Sequence, residues 1–196
     1  MGALLAVMTP LRLFNEAALT LGRAIGIVAV AAMVVAILVQ VFFRYALNNA
    51  LPWPDEAARF CMLWMTGLMA PTAFRRGGFV AIDTVVRFLP VTLGALLSLF
   101  LLFLSLIVLV LAAQIGWSEV TGFAGRFATA SLYVPTDLSF ENWFRVPRSW
   151  MMASLLVGVI LLITVNVELI LRSIVRMLGG GDRLPPITLE EQVGAE

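Results

Sequence analysis

Charged side chains interrupt this chain so rarely that the gaps between them map its organisation. Residues 24–43, between Arg23 and Arg44, form a 20-residue run without charge, long enough to cross a bilayer as a helix. Its 12 Leu, Ile, Val and Phe residues favour insertion by roughly 4–7 kcal/mol, at about 0.3–0.6 kcal/mol each. Between Arg59 and Arg75 the run is 15 residues, too short to cross. A second span therefore has to begin near Pro54 and carry Asp55, Glu56 and Arg59 in its first turns at the membrane edge. The third run, 88–118, has its most apolar stretch at 93–113. The fourth, 149–167, closes on Glu168 and Arg172, an acid-then-base pair at i,i+4 that suits a helix. Lipid admits helices or closed barrels, and these runs lack the alternation of barrel strands. The pattern predicts an all-α integral membrane fold with four transmembrane helices, at about 24–43, 54–74, 91–115 and 149–171, within a domain covering 24–176.

The leader, 1–23, reads differently. Thr9 is a candidate cap and Pro10 suits a first helical position. Leu11, Phe14, Ala17, Ala18 and Leu21 fall on one helical face, with Arg12, Asn15, Glu16, Thr20 and Arg23 on the other. That division predicts an N-terminal interfacial amphipathic helix lying in the membrane plane; the alternative is an extension of the first span. A cleaved secretory signal is not expected, since no basic residue precedes Arg12 and no small-x-small site follows the first apolar run. Residues 177–196, with Gly179-Gly180-Gly181 and Pro185-Pro186, read as a solvated tail.

Arginine placement sets the expected orientation. The amino end, second loop and tail hold eight, Arg12, Arg23, Arg75, Arg76, Arg87, Arg172, Arg176 and Arg183, against five elsewhere, Arg44, Arg59, Arg126, Arg145 and Arg148. Both termini are thus expected in the cytoplasm.

Composition narrows the chemistry. The 196 residues are 61% hydrophobic and 13% charged, against about half and a quarter in soluble domains. Histidine is absent and Cys61 is the single cysteine, so the usual zinc, copper, haem and iron–sulfur ligand sets cannot come from this chain, nor can Ser–His–Asp or Cys–His catalysis. All 13 basic residues are Arg, which removes a phosphate-loop or Schiff-base lysine. A net charge of +1 suggests no nucleic-acid partner. No catalytic, cofactor-binding or metal-binding residue is expected, and an enzyme is not.

Several motifs admit two readings. Pro52 and Pro54 force an extended entry to the second span, and Asp55 and Glu56 sit where a helix start favours negative charge. Arg59, at i+4 and i+3 from them, could neutralise both, with Tyr45 and Trp53 in the headgroup belt. The cluster is either an interfacial anchor or a docking surface for another subunit. Arg75 and Arg76 can cover the terminal carbonyls of the second helix, with Gly77-Gly78 permitting a turn. The third loop, roughly 117–148, carries Trp117, Phe123, Phe127, Tyr133, Phe140, Trp143 and Phe144; it lies along the interface or meets a partner on the outer face. Gly22/Gly26, Ala29/Ala32/Ala36, Gly67/Ala70 and Gly158 could let helices approach closely. No acid or base stands at the centre of a span, so the chain shows no permeation chemistry of its own.

The segment 42–90 resembles the small membrane subunit, the DctQ-like or Q subunit, of tripartite ATP-independent periplasmic (TRAP) transporters. The resemblance rests on Phe43-Arg44-Tyr45, Asn48, Leu51-Pro52-Trp53, Asp55-Glu56-Ala57-Ala58-Arg59, Trp64, Ala73-Phe74-Arg75-Arg76-Gly77-Gly78, Asp83 and Leu89-Pro90, with Ser131-Leu132-Tyr133-Val134-Pro135 before the last span. Phe79 stands where the family often has His, and 136–148 is longer than the usual connection. The resemblance implies a scaffold in the bacterial inner membrane. Its partners would be a large M subunit, which carries sodium and substrate by an elevator motion, a periplasmic solute-binding P subunit that delivers an organic acid, and membrane lipids. Arg44, Tyr45, Trp53, Asp55, Glu56, Arg59, Arg75, Arg76 and Asp83 become the candidate interface and docking residues. The alternative is an autonomous four-helix exporter or channel acting as an oligomer.

Overall fold

The computed structural model describes residues 2–76, 90–135 and 143–180. Among these are four long helices: α1 (Gly2–Tyr45), α2 (Trp53–Arg75), α3 (Val91–Thr121) and α4 (Arg148–Met177). A short 3₁₀ turn, Phe123–Arg126, leads from α3 into an antiparallel hairpin of β1 (Ala128–Pro135) and β2 (Trp143–Pro147). The helices pack in the spatial order α1, α2, α4, α3, with α1 also reaching α4. The last helix in the chain therefore sits inside the bundle.

Helix α1 corrects the reading of the leader. It runs unbroken for 44 residues with Pro10 inside it, about 66 Å at 1.5 Å per residue, so the extension of the first span is what forms. Its polar face supplies a buried contact. Asn15 is 1% exposed, whereas Leu13, Phe14 and Leu21 are all more than half exposed. Met8, Asn15, Leu19, Gly22, Gly26, Ala36 and Gln40 form the buried seam, close to the 3.5-residue spacing of coiled-coil contacts. The physical reason is the solvent. Where the surroundings are apolar, a polar side chain finds its partners inside the bundle and aliphatic residues can face outward.

Helix α3 is apolar on all sides and α4 is not. The most hydrophobic stretch of α3 has none of its residues buried, while 39% of the corresponding stretch of α4 is. Small residues let α4 enter. Gly158 on α4 and Gly67 on α2 lie backbone against backbone: a Cβ on Gly158 would stand 2.6 Å from the Gly67 carbonyl oxygen. On the other flank Gly116 of α3 leaves room for Leu156, and Asn166 Nδ2, fully buried, donates to the Leu102 carbonyl oxygen at 3.1 Å. Gly22 and Gly26 of α1 meet Leu68 and Met69 of α2. These are the close approaches the small residues suggested.

Three helices, over Met8–Tyr45, Thr92–Thr121 and Arg148–Met177, are long and apolar enough to cross a membrane. Helix α2, expected as a span, is 23 residues long but less apolar than the others; lying between α1 and α4, it has protein on both sides. The helical class stands, and the hairpin is a feature that the charge and hydropathy pattern did not indicate. It pairs Tyr133 with Arg145, Val134 with Phe144 and Pro135 with Trp143, with an irregularity between Ala128 and Tyr133.

Candidate functional site

Polar side chains gather at the two ends of the bundle. At one end, α1 stops at Tyr45 and the chain turns through Asn48, whose φ of 48° is the left-handed conformation that Asn tolerates better than most residues. Pro52 precedes α2 and gives no side-chain cap, so Trp53, Pro54, Asp55 and Glu56 make an uncapped, proline-stiffened start. Glu56 then does something its neighbours in sequence did not suggest. Its carboxylate accepts the backbone N–H of Ala130 at 2.9 Å and the backbone N–H of Ser131, both on β1. Ser131 Oγ lies 2.7 Å from Glu56 Oε2 and 2.8 Å from the Pro52 carbonyl oxygen, sharing one proton between them. Asp55 receives Gln40 Nε2 from α1 at 3.5 Å.

Arg59 is exposed and makes no ion pair with Asp55 or Glu56. The expected neutralising triad is therefore not formed, because Glu56 is engaged by the strand. Arg44, Tyr45 and Trp53 surround the same end and are exposed. The strand is held from its other side by Arg145. Its Nε donates to the Thr129 carbonyl oxygen and its Nη2 to that of Ala130 at 2.9 Å, and its guanidinium sits 5.6 Å from the Tyr133 ring centroid. Thr129 Oγ1 donates to the Val146 carbonyl oxygen at 2.8 Å.

Charged-acceptor hydrogen bonds contribute roughly 1.5–3 kcal/mol each, so Glu56→Ala is expected to loosen the hairpin locally. Amide hydrogen exchange over 128–135 should accelerate about tenfold or more, a factor of ten corresponding to about 1.4 kcal/mol, while exchange in α3 stays unchanged. Unaltered exchange in β1 would show that Glu56 does not hold it.

At the opposite end Glu168 of α4 is the hub. Fully buried, it accepts Asn15 Nδ2 from α1 at 2.7 Å, Arg75 Nη2 from α2 at 2.8 Å and Arg172 Nε from its own helix at 3.1 Å. Asn15 Nδ2 also reaches the Thr164 carbonyl oxygen at 3.3 Å. Glu16 stands 3.6 Å from Arg75 and 3.5 Å from Arg12, which extends the network toward the surface. The expected Glu168–Arg172 pair is present, but Arg75 reaches across to α4 and α1 instead of covering the carbonyls of its own helix. Arg76 is exposed, and its backbone N–H closes α2 on Thr72. Asp83 lies outside the described residues.

Sequence reasoning named Asn15, Glu168 and Ser131 only as parts of local patterns and gave none of their long-range partners; Arg145 entered it only as a charge that sets orientation. Glu56 and Arg75 are 19 residues apart on α2, about 28 Å along a helix and close to the roughly 30 Å of a bilayer's hydrocarbon core. Among the described residues no group of three or more His, Cys, Asp or Glu could hold a metal ion. The arrangement ties α1, α2 and α4 together at the Glu168 end, and α1, α2 and the hairpin at the Glu56 end.

The family model described as "Tripartite ATP-independent periplasmic transporters, DctQ component" matches residues 33–176. No curated protein matches the chain.

Proposed function

The chain belongs to the DctQ component family of tripartite ATP-independent periplasmic transporters, and on that premise we propose that it is the stationary scaffold of a sodium-coupled importer of an organic acid. The family is one of transporter components and not of enzymes, and the membrane-spanning helices make the chain a multi-pass protein of the inner membrane. In the proposed arrangement α2 is the fourth span and both termini are cytoplasmic. The large M subunit holds the substrate and sodium sites and moves against this bundle. The periplasmic P subunit brings substrate to the outer end, where Arg44, Tyr45, Trp53 and Arg59 are exposed and Asp55 and Glu56 begin α2. Arg76, exposed at the close of α2, belongs to the cytoplasmic end of the same interface, while Arg75 supports it from inside the bundle.

One observation carries this reading: the described bundle is tied by polar networks at both ends and closed between them by the backbone contact of Gly67 with Gly158. Such a body braces a neighbour and leaves a solute no polar route between α2 and α4. The separation of the two networks, matching a hydrocarbon core, supports the crossing of α2.

Reconstitution tests it. Purified alone into liposomes, the chain is expected to move no solute; gentle-detergent purification from its native membrane should recover a large multispan partner, and adding a secreted binding protein should start sodium-dependent uptake. Transport by the chain alone, or its recovery without any partner, would overturn the proposal in favour of an autonomous exporter or channel.

A further inference from the structure

The hairpin emerges directly from two membrane helices. Only Gly122 separates α3 from the turn that begins at Phe123, and β2 passes into α4 between Pro147 and Arg148 without a linker. The Arg148 N–H donates to the Phe127 carbonyl oxygen at 2.8 Å and closes the base. The two strands are thus fixed at the level where α3 and α4 end.

Directly paired residues of an antiparallel ladder share a face, and neighbours along a strand point to opposite faces. Val134 and Phe144 therefore share one side, Tyr133 and Arg145 the other. The second side is also exposed, Tyr133 at 48%, but it carries a charge, the Arg145 guanidinium over the Tyr133 ring. The first pairs two apolar side chains with no charge between them, Val134 and Phe144, 46% and 45% exposed. The Phe144 ring lies 6.1 Å from that of Trp150 in the first turn of α4, which is itself half exposed. A two-stranded hairpin is marginal in water without something apolar to rest on, and adjoining exposed aromatics mark a surface that is covered in use.

We infer that the Val134/Phe144 face is seated on the lipid of the outer leaflet, so that the hairpin is an interfacial anchor and not a free periplasmic arm. The inference rests on the proposed orientation of the bundle. Lipid is favoured as the occupant by continuity. Through Trp150 the face runs into the outward surface of α4, and Trp117, near the end of α3, is 63% exposed at the same end. Trp residues concentrate where acyl chains meet headgroups. Arg126 and Arg148, both exposed beside the hairpin base, complement lipid phosphates.

Site-directed spin labelling tests this on the full chain, with the partner subunits it retains, in vesicles of phosphatidylethanolamine and phosphatidylglycerol. In a Cys61→Ser background, nitroxides are placed through Val134→Cys, Tyr133→Cys and, on the exposed side of α3, Ile107→Cys. Collisions with oxygen, which partitions into lipid, should exceed those with a water-soluble nickel chelate several-fold at Val134→Cys, and the order should reverse at Tyr133→Cys. Ready access of the nickel chelate to Val134→Cys overturns the inference, as does shielding from both reagents, which would mean that protein covers the face. If Ile107→Cys lacks preferential oxygen contact, the membrane reading itself fails; if only Val134→Cys lacks it, the seating of the hairpin alone does.

Discussion

Glu168→Ala is expected to lower the stability of the bundle by about 3–5 kcal/mol, the usual penalty for removing one member of a buried charge group. The size follows from what stays behind. Glu168 is fully buried and Arg172 is 3% exposed, and the Arg75 side chain is 9% exposed; without the carboxylate, both guanidiniums lose their shared buried acceptor, and Glu16, 3.6 Å from Arg75 and partly exposed, is a weaker substitute. Asn15 loses its 2.7 Å acceptor as well, so the contacts of α1 and α2 with α4 weaken together. Thermal unfolding of the purified complex should shift downward, and protease sensitivity should appear first at the Glu168 end of the bundle. Glu168→Gln, which keeps shape and an acceptor but loses charge, should fall between alanine and wild type. Combining Glu168→Ala with Arg75→Ala should cost less than the sum of the two, because the pair acts as a unit. Additive losses, or a shift within about 0.5 kcal/mol for Glu168→Ala, the range of an ordinary surface substitution, would remove Glu168 as the hub.

The second large effect is expected from one methyl group. Gly158→Ala would place a Cβ 2.6 Å from the oxygen and 2.8 Å from the Cα of Gly67; Gly67→Ala would place one 2.4 Å from the Ser154 carbonyl oxygen. The obstructing atoms are backbone and cannot swing aside, so α2 and α4 have to separate. Overpacking of this kind costs about 1–3 kcal/mol. The double substitution should be less damaging than the sum, since the first methyl already opens the gap the second needs. Gly116→Ala is the control: its Cβ would meet Leu156 at 3.5 Å, ordinary contact, and its unfolding temperature should match wild type. Equal tolerance at Gly158 and Gly116 would show that the α2–α4 contact is not as tight as described.

Much of the site was within reach of sequence reasoning, but its connections were not. Asp55, Glu56 and Arg59 were correctly seen as a charged helix entry, and helical spacing made Arg59 the obvious partner. The nearest partner in sequence lost to a strand some 75 residues away, because two backbone N–H groups and a hydroxyl on one carboxylate outweigh a single exposed ion pair. Arg75 likewise left its own helix end for a buried acid on α4. The burial of Asn15 on α1 has the same origin. An amphipathic pattern identifies two faces, but which of them turns inward depends on whether the surroundings are water or lipid.

The sequence by itself determined the membrane class, the long helices and the small residues where they could meet, because insertion energy and helix periodicity are local sums over side chains. It also left no histidine or lysine for any chemistry that needs one, because absent residue types cannot be supplied by folding. Only the tertiary structure decided that α4 lies between α2 and α3, that Glu168 gathers Asn15 and Arg75, and that the aromatic loop closes as a hairpin under Glu56. Those are pairings between residues far apart in the chain, chosen by which buried donor finds which acceptor, and no local sum contains them.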